Sequence, residues 1–309
     1  MSVPTSILVL GSGELGGSIL QHLAIHPHNQ STKLTLLIRK GTLNAPKPDK
    51  KTELEHLAGL GIVFALGDVV SDSIDTLRDI FKDYDTIIGA SGMTFPAGTQ
   101  TKILEAVFAA KVPLYIPWQF GVDYDTIGGN SAQDLFTEQL KIRGLLRAQD
   151  STQWIILSTG MFTSFLFESS FGVVDLESST VRCLGRWDNS VTVTAVEDIG
   201  QVIAEILYTA PKTRGVVFTA GQTIEYAQLA DEVERVIGKE IVRETWDMEH
   251  LRQELKENPD DGLKKYRVTF AEGIGVSWPE ESTFTHQHSL QLKNVETWLR
   301  EFLETRRIS

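Results

Sequence analysis

Between Ser6 and Gly17 the chain reads Ile7-Leu8-Val9-Leu10 and then, without a break, Gly11-Ser12-Gly13-Glu14-Leu15-Gly16-Gly17. Four apolar residues bounded by glycine suit a buried strand, and Leu15, Ile19, Leu20 and Leu23 follow at helical spacing. Strand, tight turn and helix in that order give the G-x-G-x-x-G pattern a mechanical meaning. Gly11 permits the turn, Gly13 lets a pyrophosphate approach the backbone, and Gly16 lets helix and strand pack closely. A diphosphate would rest on Gly11, Ser12, Gly13, Glu14, Leu15 and Gly16, against N–H groups at a helix N-terminus whose dipole favours its charge. The alternative is a purely structural turn.

Downstream, strand-like and helix-like stretches alternate. Leu34 to Ile38 reads as a second strand, with Arg39-Lys40 directly after it. About 20 residues past the glycines, an acid holds the ribose 2′-OH of NAD, whereas an arginine accommodates the 2′-phosphate of NADP. Two cations and no acid stand here, so Arg39 and Lys40 predict NADP(H); the alternative is a solvated basic turn. Gly41 to Lys51, rich in Pro and Lys, reads as an exposed loop. Further strands are expected at Ile62 to Leu66, Thr86 to Ala90, Val112 to Ile116 and Trp154 to Leu157, with helical spacing from Ser73 to Tyr84 and from Gly98 to Ala110. This alternation predicts an α/β fold, a Rossmann-type doubly wound parallel sheet with a smaller α+β C-terminal substrate lobe. The carboxyl ends of such strands line the ligand crevice. Asp68 and Val69 are therefore expected beside the adenine, and Ala90 and Ser91 beside the middle of the cofactor. Residues 1–158 are expected to form the cofactor domain, with a later return of the chain at about 190–220, and 159–309 mainly the substrate lobe.

With 309 residues, 41% of them hydrophobic and 23% charged, the chain can bury a substantial core. Its formal net charge of −12 argues against general affinity for nucleic acid or an anionic membrane. No apolar run approaches the roughly 18 residues of a membrane span. No basic region precedes the first apolar run, so no signal peptide is expected either. The single cysteine, Cys183, excludes an internal disulfide and fits a reducing, cytoplasmic setting. Gly-x-Ser-x-Gly, His-Glu-x-x-His and Cys-x-x-Cys do not occur, which removes the usual sequence support for a serine hydrolase or a zinc enzyme. His286-Gln287-His288 would set two imidazoles on one side of an extended segment, but with no evident third ligand a polar loop and no metal are expected.

The Gly11-Ser12-Gly13-Glu14-Leu15-Gly16 turn, the basic pair after the second strand, Gly67-Asp68 and Ile116-Pro117-Trp118-Gln119-Phe120-Gly121 together resemble the NmrA-like and isoflavone-reductase-like branch of the atypical short-chain dehydrogenases, above all its fungal members. The runs Trp154 to Phe167 and Val193-Thr194-Ala195-Val196-Glu197-Asp198-Ile199-Gly200 are similar to that branch too, so the resemblance covers most of residues 6–220. It implies an NADPH-binding Rossmann core, a smaller substrate lobe and, in enzymatic members, reduction of aromatic or other hydrophobic secondary metabolites. Trp118 and Phe120 are counted among the cofactor's neighbours. One departure matters. The reductases of this branch resemble each other in a lysine four residues before an arginine, on the helix after the loop; here Arg143 matches the arginine and Gln139 takes the lysine's place. Lys141 is two helical steps from Gln139, about 200° around the axis, and is expected to face solvent. The helix itself is expected from about Ser131 to Gln149, opened by Asn130 or Ser131 with Asp134 as the box partner of Ser131. A neutral amide orients a substrate but delivers no proton. Beside Gln139, the candidate donors are Tyr124, Ser91 or a bound water, Tyr124 having a half-buried loop tyrosine as its plain alternative. Tyr208-Thr209-Ala210-Pro211-Lys212 matches Tyr-x-x-x-Lys, yet Pro211 breaks the helix needed to align the pair.

The apolar run from Ser158 to Phe167 brings Met161, Phe162 and Phe165. With Met93, Phe95, Trp118 and Phe120 they suggest a hydrophobic pocket for a planar ligand, against the alternative of plain core. Val216 to Thr219 reads as a strand. Ile224 to Ile237, Met248 to Leu255, capped by Asp247, and Leu290 to Glu304 read as helices, with a break at Asn258 to Gly262. Two functions stay open. One is an NADPH-dependent reductase acting on a carbonyl or conjugated double bond of a small hydrophobic or aromatic molecule. The other is an NADP-binding protein that is regulatory or non-redox, or that shapes a reactive substrate for cyclisation or elimination; Gln139 favours it. Monomer and dimer are both compatible with the sequence.

Overall fold

Strands made of Val, Ile and Leu are apolar on both faces and need helices on both sides to cover them. The computed structural model describes residues 3–29, 31–92, 94–131 and 134–308, and its first half alternates accordingly. The order is β1 (Ser6–Leu10), α1 (Glu14–Ile25), β2 (Lys33–Ile38), α2 (Lys40–Asn44), α3 (Pro48–Gly59), β3 (Val63–Leu66), α4 (Ile74–Phe81), β4 (Thr86–Gly89), α5 (Thr99–Ala110), β5 (Leu114–Ile116), α6 (Tyr124–Ser131), α7 (Thr137–Arg147) and β6 (Gln153–Ser158). After it come β7 (Met161–Phe162), β8 (Val174–Asp175), β9 (Thr180–Leu184), β10 (Ser190–Thr194), α8 (Val196–Tyr208), β11 (Gly215–Phe218), β12 (Gln222–Glu225), α9 (Tyr226–Ile237), β13 (Val242–Trp246), α10 (Met248–Glu257), α11 (Gly262–Glu272), α12 (Phe284–Gln287) and α13 (Val295–Ile308). Among the described residues no helix is long and apolar enough to cross a membrane.

Two compact units result. The first is Met1–Gln119 with Lys141–Leu157 and Ile199–Val217; the second is Phe120–Leu140 with Ser158–Asp198 and Phe218–Ser309. The first unit is built on a seven-stranded sheet in the order β11-β6-β5-β4-β1-β2-β3. Strand β1 runs parallel to β2 and β4, β2 to β3, β4 to β5, and β5 to β6. The chain winds outward from β1 through β2 to β3 and then returns to the other side of β1. That reversal makes the carboxyl ends of β1 and β4 the switch point, where a doubly wound sheet opens a crevice. The expected Rossmann-type sheet is therefore present. In the second unit β10 lies between β12 and β7, antiparallel to the first and parallel to the second, and β9 lies between β13 and β8 with the same mixture.

Several expected elements change. Gly41 to Lys51 is not a loop: α2 and the start of α3 occupy it, because Pro48 stands at the first turn of α3, where its missing N–H is harmless. The helix expected from Ser131 starts later, because Ser131 ends α6. Helix α6 is interrupted at Gly128 (φ 71°, ψ −179°), and α7 starts only at Thr137. Asp134, expected as a capping partner, lies in the turn between them and pairs with Lys265 of α11. The expected caps Asn130 and Ser131 have side chains outside the described residues. Helix α13 begins at Val295 rather than Leu290: Asn294 caps it through Thr297 N–H (2.8 Å), and the N–H groups of Lys293 and Val295 are already held by Asp198 and Gln222. His286 lies in the short helix α12, so the expected extended His286-Gln287-His288 segment is replaced by a helical turn with His288 stacked on Phe284 at 3.9 Å.

The Asp198 contact has an energetic sign. Its side chain is buried and accepts from Lys293 N–H at 2.7 Å, while the Lys293 ammonium reaches Glu197 (3.3 Å) and Glu301 (2.6 Å). Burial pushes the Asp198 carboxyl up to about 6, over the opposing pull of the Lys293 N–H and charge. The folded chain thus keeps a proton that the unfolded chain has lost, so this group's contribution is complete below about pH 4 and disappears as pH rises through 6. Asp198→Asn is expected to be more stable relative to the parent at pH 7 than at pH 4.5, by about 2 kcal/mol. Urea unfolding at the two pH values checks it; a difference independent of pH would refute it.

Candidate functional site

Strand β1 delivers the chain to Gly11, whose φ of +119° belongs to glycine. A Cβ on Gly11 would collide with the Ser91 hydroxyl, and one on Gly16 would collide with the Gly11 carbonyl oxygen. Helix and turn therefore meet backbone to backbone. Gly13 differs: it is the N-cap of α1 at φ −78°, and a Cβ there would meet nothing within 4 Å. The turn is closed behind Gly11 and Gly16 and open at Gly13. From α3, Lys50 reaches the carbonyl of Ser12 and the carboxylate of Glu53.

At the ends of β2 and β3 is a groove of about 650 Å³ lined by Arg39, Lys40, Thr42, Leu66, Asp68 and Asp72, with Gly41 and Gly67 between them. Arg39 and Lys40 are exposed. Partial burial opposes ionisation of Asp68, but the Val70 N–H (2.9 Å), Ser71 and the nearby Arg39 charge together hold its carboxyl below the usual range. Val69 is buried in the core of the first unit. The groove thus offers two cations, two carboxylates and one apolar wall.

Beyond β4, Ala90 is buried and Ser91 packs its hydroxyl on Gly11. The Ser91 carbonyl accepts from Gln100 Nε2 at 3.0 Å, and the Trp118 ring closes over Gly92, where no Cβ would fit. Phe95 packs against the core of this unit, and Met93 lies outside the described residues. Arg143 is 0% exposed, and its Nε donates to Gln119 Oε1 at 2.8 Å. Lys141 is exposed as expected, and Gln139 is half-buried in the first turn of α7, one turn before Arg143.

In the second unit Tyr124 is not a half-buried loop residue. It opens α6, is 6% exposed, and lies at 4.5 Å from Phe136, with its hydroxyl against Gly121. Phe136 meets Tyr266 edge-on at 5.9 Å, Tyr266 meets Phe165 at 6.1 Å, and Phe165 stacks on Phe171 at 4.5 Å. Burial pushes the Tyr266 phenol up to about 12. Met161 is buried, Phe162 half-buried, and Phe120 buried. Tyr124 and Phe165 are thus brought into one aromatic cluster. Tyr208 instead stacks on His26 (5.0 Å) in the first unit. Among the described residues no group of three His, Cys, Asp or Glu is arranged to hold a metal.

Residues 4–299 match the NmrA-like family. The chain belongs to it. A protein of Gibberella moniliformis (strain M3125 / FGSC 7600), described as an NmrA-like family domain-containing oxidoreductase, is 48% identical over 304 residues, 97% of either chain. Among solved structures, an isoflavone reductase superposes with a TM-score of 0.79 at 20% identity, over 96% of this chain and 99% of the other. The leucoanthocyanidin reductase–NADPH complex of Vitis vinifera gives 0.77 at 18% identity, over the same shares.

Two residues of this NmrA-like chain escape sequence reasoning. Lys50 is hidden in a stretch whose composition reads as loop, although Pro48-Asp49 ahead of Leu54 and Leu57 marks a helix start. Tyr266 lies on α11, which the Asn258 to Gly262 break conceals; the cap Asp261, accepting from Leu263 and Lys264 N–H, was the available signal. The NmrA-like turn itself predicts an asymmetry. Gly16→Ala is expected to lose about 2–4 kcal/mol of stability, whereas Gly13→Ala stays within about 1 kcal/mol of the parent. Urea denaturation of both variants measures the contrast, and equal losses would refute the packing account.

Proposed function

We propose that this NmrA-like chain binds NADP(H) and is an NADPH-dependent reductase of a small aromatic or otherwise hydrophobic molecule, acting on a carbonyl or conjugated double bond. The observation that carries the reading is the open side of the turn at Gly13, at the N-terminus of α1, where backbone N–H groups and the helix dipole suit a diphosphate. The residues present fit the group. Arg39 and Lys40, with Lys50 close by at Ser12, suit phosphate; Leu66 and Asp68 in the groove and Val69 beside it suit the adenosine. Support also comes from the fungal relative described as an oxidoreductase and from the similar fold solved with NADPH.

When bound, the cofactor supplies a hydride from its nicotinamide ring. In this reading the chain's own work is to hold the diphosphate on α1, with Ala90, Ser91, Trp118 and Phe120 as further cofactor neighbours. Ser91 is kept in place by Gly11 and by Gln100. Met161, Phe162 and Phe165 of the second unit are the candidates for excluding water from a planar substrate. Gln139 orients the substrate through its amide, and Tyr124, Ser91 or a bound water supplies the proton. With a single buried cysteine the protein suits a reducing cytosol.

Gln139 itself favours a second reading, an NADP-binding regulatory or non-redox protein, because an amide has no titratable proton to give. Calorimetry with NADPH and NADH tests the cofactor. Arg39→Ala is expected to weaken NADPH about tenfold more than NADH, and equal weakening would count against a 2′-phosphate role. Incubation of NADPH with aromatic aldehydes, enones and quinones then separates the two functions. Loss of absorbance at 340 nm, increased in Gln139→Lys, is expected of the reductase. Tight cofactor binding with no turnover in the parent would sink the reductase in favour of the second reading.

A further inference from the structure

The cations around the glycine turn are not unopposed. The Lys50 ammonium is bonded at once to the Ser12 carbonyl and to Oε2 of Glu53, one turn further along α3. The other oxygen of Glu53, Oε1, is closed off from solvent and has no hydrogen-bond partner. It lies over Gly17 of α1, where an added Cβ would stand 3.3 Å away. A shielded carboxylate oxygen without a donor costs free energy, so it calls for an explanation. An ammonium has three N–H donors, and here it is engaged by the Ser12 carbonyl in the turn and by the Glu53 carboxylate on its own helix. The Glu53 carboxylate is thus in contact with a lysine that touches the backbone of the turn.

We propose that Glu53 is an affinity-setting residue, an internal anion that neutralises Lys50 and competes with the nucleotide's diphosphate for it. The proposal rests on the NADP(H) reading above. The diphosphate arriving at Ser12 must share Lys50 with a carboxylate of its own sign, which opposes it. Glu53 therefore holds down affinity for both dinucleotides, whose diphosphate is the same. It also speeds release of either one.

The test is titration calorimetry and stopped-flow release on the full chain, comparing the parent with Glu53→Gln and Glu53→Leu. Both variants are expected to bind NADPH and NADH about tenfold more tightly than the parent, with the gain in slower release. The Leu variant covers the case in which the Gln variant does not fold. Unchanged or weaker NADPH binding by a variant with the parent's unfolding midpoint overturns the role of Glu53 and leaves the cofactor reading intact. A gain for NADPH with none for NADH overturns it as well. No heat with NADPH from the parent and from both variants overturns both readings.

Discussion

Two missing side chains hold the centre of the first unit together. The Gly11 carbonyl occupies the space where a Gly16 Cβ would be, and the Ser91 hydroxyl occupies the space where a Gly11 Cβ would be. Because of the first contact, α1 starts directly over the end of β1. Because of the second, the end of β4 lies against the same turn, at the point where the winding of the sheet reverses. The helix N-terminus and the open side of Gly13 follow from these contacts, and the groove beyond β2 and β3 adds its own cations. A methyl group at either glycine would push apart elements that the rest of the sheet holds in register.

Charge is organised locally against the global balance. The chain is acidic overall, at −12, yet Arg39, Lys40 and Lys50 gather around the turn and the groove. Each of these cations has an acid nearby. Asp68 sits with Arg39, Asp72 lines the same groove, and Glu53 is bonded to Lys50. Net charge governs long-range encounter, while a site is governed by groups within a few ångströms and by how well water screens them. An acidic protein with a cationic rim tempered by carboxylates is consistent with a phosphorylated ligand that comes and goes.

The second unit follows another logic. Its two sheets are small and mixed, and its interior is held by aromatic rings from distant parts of the chain: Tyr124 and Phe136 near α6 and α7, Phe165 and Phe171 before β8, and Tyr266 on α11. Sequence periodicity found α9 and α10, which have clear apolar faces. It could not find β7 and β8, which are two residues long, because alternation needs at least about four residues to register. Nor could composition distinguish the first turn of α3 from a loop, since proline and lysine are at home in both.

By itself the sequence determined the winding of the first unit, for the physical reason that glycine-bounded apolar runs and 3.6-residue periodicity are local properties that tertiary context rarely reverses. It also determined that position 139 carries an amide, which lacks a titratable proton wherever it is folded. Only the tertiary structure decided which charges meet. Lys50 against Ser12 and Glu53, Arg143 against Gln119, and Asp134 against Lys265 join residues that no spacing rule pairs, except for the single turn between Lys50 and Glu53. Such contacts depend on where whole helices come to rest, and that is set by the packing of many side chains at once.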